Sequence, residues 1–414
     1  MKSINSLYFQ NLSQKEQQFI EDLSKNFHLS YQEKHKLIQI AIDLQMWNET
    51  PLYKYNFSNF EKMVKQNYKI AKKKLLSKIE KNYDKLKTNP TIYNTTATYQ
   101  NHQKPKISTL KKDKLGFGMC PVASPKTRCC NLMTLDVVES CGFDCSYCSI
   151  QSFYNENKII FDKTLKEKLN TIKLDPNEFY HIGTGQSSDS LMWGNHNGIL
   201  DDLINFAKKN PNVMLEFKTK SNNISYFLKH DIPKNIILTW SLNTQTIIDN
   251  EEHLTASLEN RLEAAKRVHD KGILVGFHFH PMIYYKNWQK EYKKIFDHLT
   301  KNFDPKNVAM VSLGTLTFIK PVIKTIRSRD FKSKILQIPF TNANGKLSYP
   351  IEIKKEIFRF AYESLSKWHK KVFFYLCMEE HSLWKEVFGY EYPTNETFEN
   401  DMKLHYLKKI TRSS

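Results

Sequence analysis

The sequence predicts an α/β chain built on an open (β/α)6 partial TIM barrel, with an N-terminal helical domain and a C-terminal α+β extension. Three observations predict it. Six short apolar segments recur at 132–138, 179–183, 213–217, 236–242, 273–279 and 308–313, each of the length of a buried parallel strand. Amphipathic segments separate them, most clearly 257–271, with Leu258, Leu262, Ala265 and Val268 on one face and Gly272 as its stop. A cysteine-rich loop follows the first of these strands, and in such barrels the loops after the strands carry function.

The expected domains are 1–110, a basic helical region with a linker; 111–328, the partial barrel; and 329–414, an extension closing its open side. The first region carries three capping boxes, Ser13-Gln-Lys-Glu16, Ser30-Tyr-Gln-Glu33 and Ser58-Asn-Phe-Glu61. In each, the serine oxygen satisfies one orphan amide of the helix start and the Glu another. Apolar residues follow at helical spacing, as at Leu37, Ile40, Ala41 and Leu44. The third helix, 59–87, holds ten lysines against three acids. That imbalance suits a phosphate-facing surface better than a merely solvated face. Residues 88–114, with Pro90, Pro105 and little apolar content, read as a linker. The extension holds a hairpin turn at Asn344-Gly345, a helix over 351–369, a strand over 372–377 and a helix beyond Glu380.

A formal net charge of +19 with 13% aromatic residues points to a nucleic-acid partner rather than to a fold. No apolar run approaches the roughly 18 residues of a membrane span. The first ten residues hold no apolar signal-peptide segment, so the expected compartment is the cytoplasm.

The richest signal is Cys141-Gly-Phe-Asp-Cys145-Ser-Tyr-Cys148. Its C-x3-C-x2-C spacing puts three thiolates on one short loop. An iron–sulfur cube held by three cysteines keeps one iron open for a ligand. A zinc site would want a fourth Cys or His at a matching offset, and none follows closely. A disulfide framework is excluded by cysteine usage, which is sparse and odd at seven.

This spacing, with an aromatic residue before the last Cys, resembles the radical S-adenosylmethionine (SAM) enzymes. The surrounding segment, from Asn131-Leu-Met-Thr-Leu-Asp136 to Gln151-Ser-Phe-Tyr154, narrows the resemblance. So do Phe217-Lys-Thr-Lys220, Thr239-Trp-Ser-Leu-Asn243, Arg261-Leu-Glu-Ala-Ala265, Gly276-Phe-His-Phe-His-Pro-Met-Ile-Tyr-Tyr285 and Leu313-Gly-Thr-Leu316. Taken in order, over roughly residues 115–390, they resemble the spore photoproduct lyase family.

The resemblance implies a [4Fe-4S] cluster on Cys141, Cys145 and Cys148, with SAM bound at the open iron. It implies a 5′-deoxyadenosyl radical, a carbon–carbon lyase acting on a pyrimidine lesion in DNA, and an electron donor such as flavodoxin or ferredoxin. The loop His181-Ile-Gly-Thr-Gly-Gln-Ser-Ser-Asp-Ser190 offers Gly183 and Gly185 for close backbone approach and Thr184, Ser188 and Asp189 for polar contacts. The family contacts SAM at the positions of Ser188 and Asp189. Lys220 matches the lysine that pairs with the methionine carboxylate, with Lys218 as competitor on the same face. Ser241 and Asn243 end the fourth strand and would reach ribose or carboxylate. Tyr147 either packs over the cluster or passes the radical, as its family counterpart is implicated in doing.

The chain departs from the family at the hydrogen-return path. The lyases carry a donor cysteine three residues before the Asp matching Asp189; here that residue is Gln186. A second tyrosine expected after the last cluster Cys is Ser149. Cys377, at the end of an apolar strand, is the replacement candidate, with an inert buried thiol as the alternative. Cys120, Cys129 and Cys130 stand as quenchers, ligands of an extra site or plain thiols. His278 and His280 share a face and suit substrate contacts; without a carboxylate partner they do not make a metal site. Two other functions stay open: radical SAM chemistry on RNA or another substrate, and an iron–sulfur nucleic-acid-binding protein without turnover.

Overall fold

Val213-Met-Leu-Glu-Phe-Lys-Thr219 is buried at every position except Lys218. A strand apolar on both faces needs cover on both, which parallel strands with crossover helices supply. The computed structural model describes residues 7–55, 58–93, 105–120, 126–154, 158–329, 331–343 and 345–412. Its contacts divide the chain into two units.

The larger unit (102–283, 287–316 and 350–414) holds one eight-stranded sheet. The strands are β1 (Gly116–Met119), β2 (Met133–Asp136), β3 (Tyr180–Gly183), β4 (Val213–Thr219), β5 (Ile236–Ser241), β6 (Leu274–Met282), β7 (Val308–Thr315) and β8 (Phe373–Leu376), side by side in chain order. β1 pairs antiparallel with β2, and every later neighbour is parallel. The six expected strands are β2 to β7, and the expected 372–377 strand is β8. An isolated antiparallel bridge from Thr127 to Glu380 ties the chain before β2 to the chain after β8, so the sheet curls toward its own far edge.

Helix Leu258–Asp270 covers one face. Ser257 caps it by accepting from the Asn260 amide at 3.2 Å, and it buries Leu262, Ala265 and Val268. Gly272, at φ +84°, turns the chain out of it in the left-handed region. The expected linker is not plain linker. Lys106–Leu110 pairs in parallel with Lys158–Asp162, and β1 follows. Beyond β7, helices Ile351–Ser364, His381–Phe388 and Asn395–Arg412 complete the unit.

The smaller unit (1–101, 284–286 and 317–349) is largely helical. Helix Tyr31–Met46 starts with the complete Ser30–Glu33 box. At Ser13 the box is half made: Ser13 accepts from the Glu16 amide, but the buried Glu16 carboxylate instead accepts from the Leu52 amide at 2.9 Å. That contact anchors the turn at Leu52 rather than the helix start. Ser58 begins helix Ser58–Thr88, kinked at Asn67; the side chains of its box lie outside the described residues, as do those of Lys62 and Lys65. Asp43 is fully buried between Arg327, at 2.8 and 2.7 Å, and the Tyr83 hydroxyl at 2.6 Å. Lys69, Lys73, Lys74, Lys81 and Lys85 are exposed along one helix, while Lys72 pairs with Glu33. Strands Thr341–Ala343 and Lys346–Ser348 form the expected hairpin, with Gly345 at φ +80°; Asn344 lies outside the described residues.

Among the described residues, no helix is long and apolar enough to cross a membrane.

Candidate functional site

The three-thiol loop leaves β2 and is held by a two-residue ladder, Cys145 opposite Glu252 and Asp144 opposite His253. The Ser146 amide donates to the Glu251 carbonyl at 2.8 Å, and its hydroxyl donates to the Glu251 carboxylate. Gly142 lets the loop lie on its neighbour: a methyl there would run into Met192 and come within 3.0 Å of the Trp193 ring. Burial pushes the Cys141 thiol up to about 12 and raises Cys145 as well. Thiols so shielded from water become thiolates only with a cation or metal at hand.

A cation is at hand. The Lys220 ammonium lies 3.8 Å from the Cys145 sulfur, 2.6 Å from the Tyr147 hydroxyl and 3.2 Å from Glu252. Glu252 is the hub of the site. One oxygen meets Arg261 at 2.7 Å; the other accepts from Lys220, from the Asn243 amide at 3.2 Å and from the Tyr147 hydroxyl. Burial alone would raise its pKa, but Lys220 and Arg261 draw it down to about 2. Burial raises Cys145 most, and Lys220 eases its ionisation against the opposing charge of Glu252, so a cation stands where a thiolate-bound cluster would need one. No three His, Cys, Asp or Glu side chains among the described residues form a site for a single metal ion.

Of the expected SAM-contact residues, Lys220, Asn243, Ser241 and Asp189 join this hub or its partners, while Thr184 and Ser188 are engaged within the loop after β3. The Asp189 carboxylate accepts from the Lys220 amide at 2.6 Å, the Thr219 hydroxyl at 2.7 Å and the Leu191 and Met192 amides at 3.0 and 2.9 Å. It locks the loop after β3 to the end of β4. Ser188 accepts from the Trp193 indole at 3.2 Å, and Thr184 donates to Ser190 at 2.9 Å. Gly183 and Gly185 lie in the same turn; a methyl on Gly185 would meet Lys218 Cβ at 3.0 Å. Asn243 accepts from Tyr292 at 2.6 Å and donates to the Pro281 carbonyl at 3.2 Å. The Ser241 carbonyl accepts from Arg261 at 2.8 Å. Lys218 and Lys220 part company: Lys220 serves the thiol loop, while Lys218 stays in the barrel mouth.

Sequence reading missed three acids. Glu251 and Glu252 carry no local pattern, because their partners lie about the thiol loop and on the helix from Leu258. Glu216 did leave a signal, a charge inside an apolar strand. It meets His181 at 2.8 Å, His278 at 2.7 Å and Thr239 at 2.6 Å, and His278 reaches Ser312 at 2.5 Å. This is the carboxylate partner not found for His278, spent on a buried hydrogen-bonded layer.

The other cysteines also converge. Extending the Thr127–Glu380 register by three residues sets Cys130 opposite Cys377, whose amide donates to the Leu313 carbonyl at 2.8 Å. β8 runs parallel to β7, so Cys377 stands at the C-terminal end of the strands, on the same side as the loop after β3, with Cys130 opposite it. A hydrogen bond from Cys130 favours the thiolate of Cys129, drawn down to about 6, and raises Cys130.

A spore photoproduct lyase of Clostridium acetobutylicum is 28% identical over 166 residues, 39% of this chain and 49% of that protein. That of Bacillus subtilis is 23% identical over 202 residues, 47% of this chain and 59% of its own length. The chain thus spans about half to three-fifths of these relatives. A solved spore photoproduct lyase complexed with dinucleoside spore photoproduct shares the fold, with a TM-score of 0.56 and 19% identity over 69% of this chain and 89% of that one. The family profile described as Spore photoproduct lyase matches residues 127–349, from just before β2 through the last strand of the hairpin and more than half of the sequence, and the chain belongs to the spore photoproduct lyase family of the radical SAM superfamily.

Proposed function

We propose that the chain is a radical SAM carbon–carbon lyase that repairs a pyrimidine lesion in DNA. The observation that carries the reading is the three-thiol loop held against the Lys220–Glu252–Arg261 hub. Cys141, Cys145 and Cys148 would hold the [4Fe-4S] cluster as thiolates. When bound, cluster and SAM supply a 5′-deoxyadenosyl radical by reductive cleavage of SAM.

The remaining work belongs to side chains. Lys220 offers its positive charge to the methionine carboxylate. Gly183, Thr184, Gly185 and Ser188 form the turn against which SAM lies, and Asp189 fixes that turn through backbone amides. Ser241 and Asn243 line the ribose side. Tyr147, held by Lys220 and Glu252 between two cluster cysteines in sequence, would pack against a bound cluster or carry a hydrogen atom. Cys377 takes the role left vacant at Gln186: its S–H bond breaks, a C–H bond forms on the substrate carbon radical, and the unpaired electron stays on sulfur. DNA is the partner that suits the exposed lysines of Ser58–Thr88. Flavodoxin or ferredoxin suits as electron donor, and the cytoplasm as compartment. The departures at Gln186 and Ser149 favour one second reading, the same radical chemistry on RNA or another substrate.

The test is product analysis with the anaerobically reconstituted protein, SAM and lesion-bearing oligonucleotides. The wild type should convert the lesion to two thymines, while Cys377→Ala cleaves SAM at an undiminished rate and diverts product to adducts of an unquenched radical. A wild-type product distribution from Cys377→Ala removes the thiol from the path. SAM cleavage without lesion turnover moves the reading to another substrate, and no SAM cleavage leaves a binding protein.

A further inference from the structure

Lys218 reaches the barrel mouth with no counter-charge. It is the one residue of β4 that is not buried, and it follows the buried Glu216 on the inward face. The loop after β3 lies directly on its base, because a side chain at Gly185 would meet Lys218 Cβ at 3.0 Å and its carbonyl oxygen at 3.1 Å. Glu216 on β4 meets His278 on β6 at 2.7 Å across the inner face, and Lys218 and His280 stand two residues further along the same two parallel strands, so they form the next layer of that face.

None of the neighbouring groups is a free anion. Burial first, and Lys218 next, hold His278 at about 4 and His280 at about 3, so both imidazoles are neutral. The Cys377 thiol is pushed up to about 12 by burial. Nearby carboxylates are taken: Glu216 by its histidines, and Glu379 by Lys354 at 2.7 Å and Thr315 at 2.8 Å. Among the described residues, neither Lys218 nor His280 has a side-chain hydrogen bond or ion pair. The His280 ring lies on Gly314, where a methyl would come within 2.7 Å, so the β7 strand leaves it room to face the mouth.

A half-exposed cation in a concave mouth lined by neutral groups is free to bind a ligand of opposite charge. A single ammonium beside a neutral N–H donor matches a singly charged anion with two free oxygens. We propose that Lys218 and His280 form the subsite for one phosphodiester, the linkage joining the two nucleosides of a dinucleotide step. The inference rests on the nucleic-acid reading of the same mouth. It takes the phosphodiester rather than the methionine carboxylate because Lys220 already stands at the thiol loop, whereas Lys218 shares a layer with His280, whose ring lies on Gly314 next to the Leu313 carbonyl that binds the Cys377 amide, where substrate must lie for hydrogen to be returned.

The test measures anaerobic equilibrium binding to the reconstituted, SAM-loaded protein. The probes are thymidylyl-thymidine and its neutral methylphosphonate analogue, each undamaged and as the lesion. The wild type should bind the phosphodiester forms about tenfold more tightly than the neutral ones. Lys218→Met should erase that preference while leaving the dissociation constants of the neutral analogues and of SAM unchanged. Lys218→Arg should keep most of it, and thermal melting of both variants checks the fold. Equal weakening of charged and neutral probes, an unchanged preference, or weakened SAM binding would overturn the subsite. Charge discrimination on undamaged probes without binding of either lesion form overturns the lesion reading alone. A wild type that binds no dinucleotide overturns both.

Discussion

His278 illustrates how a residue chosen from periodicity gets its role from burial. Only 5% of it is exposed, and it is wedged between Glu216, Ser312 and Lys218 with His181 on the far side of the carboxylate. Its pKa falls from 6.5 unfolded to about 4 folded. The unfolded chain therefore takes up the proton first as pH falls. The stability due to neutral His278 is complete above about 6.5 and is lost as pH drops from there toward 4. Between about pH 7 and pH 5 the loss should be about 2 kcal/mol. His278→Gln, which keeps a hydrogen-bonding side chain without the titration, should lose correspondingly less over the same interval in pH-dependent thermal unfolding. Equal pH slopes in the two proteins would mean that His278 is not held neutral. Residues of this kind are only half legible in sequence. The pair His278 and His280 could be placed on one face by alternation, but Glu216, Glu251 and Glu252 take their meaning from partners as far as a hundred positions away, as Glu251 does with Ser146.

Elements were more legible than sites. Strands β2 to β8 could be read because parallel strands buried on both faces are short apolar runs, and the helix from Leu258 because Ser257 and Gly272 punctuate it. Lys106–Leu110 was hidden by its polar, exposed character; a strand paired on one side at the surface needs no apolar pattern. Glu16 misled for a related reason, since a capping box and a tertiary anchor use the same residue types. Helix Ser58–Thr88 gives the prediction at this scale. Lys69, Lys73, Lys74 and Lys81 are exposed on it. Replacing these four by Gln should weaken DNA binding and flatten the plot of log affinity against log salt by about 0.9 per phosphate contact removed. An unchanged salt slope would make the helix a solvated face and no more.

At the scale of the whole molecule, the larger unit holds a curled sheet, parallel from β2 to β8, whose strand ends gather two sets of sulfur chemistry. Cys141, Cys145 and Cys148 stand after β2 with Lys220 and Glu252; Cys377 stands after β8 with Lys218 and Cys130. The three cysteines of the first set were legible from their spacing, whereas Glu252 was not. Of the second, Cys377 was legible as a thiol at a strand end, but its approach to Cys130 was not, because the two come from opposite edges of the sheet and meet only through the curl that the Thr127–Glu380 bridge records. The central claim is that the first set cleaves SAM. Its most direct test is 5′-deoxyadenosine formation by the anaerobically reconstituted, reduced protein, measured beside Cys141→Ala, Cys145→Ala and Cys148→Ala. The account predicts product from the wild type and none from the three variants, with iron and sulfide content lost or reduced in each. A fully loaded wild type that makes no 5′-deoxyadenosine, or a variant that still makes it, would contradict the claim.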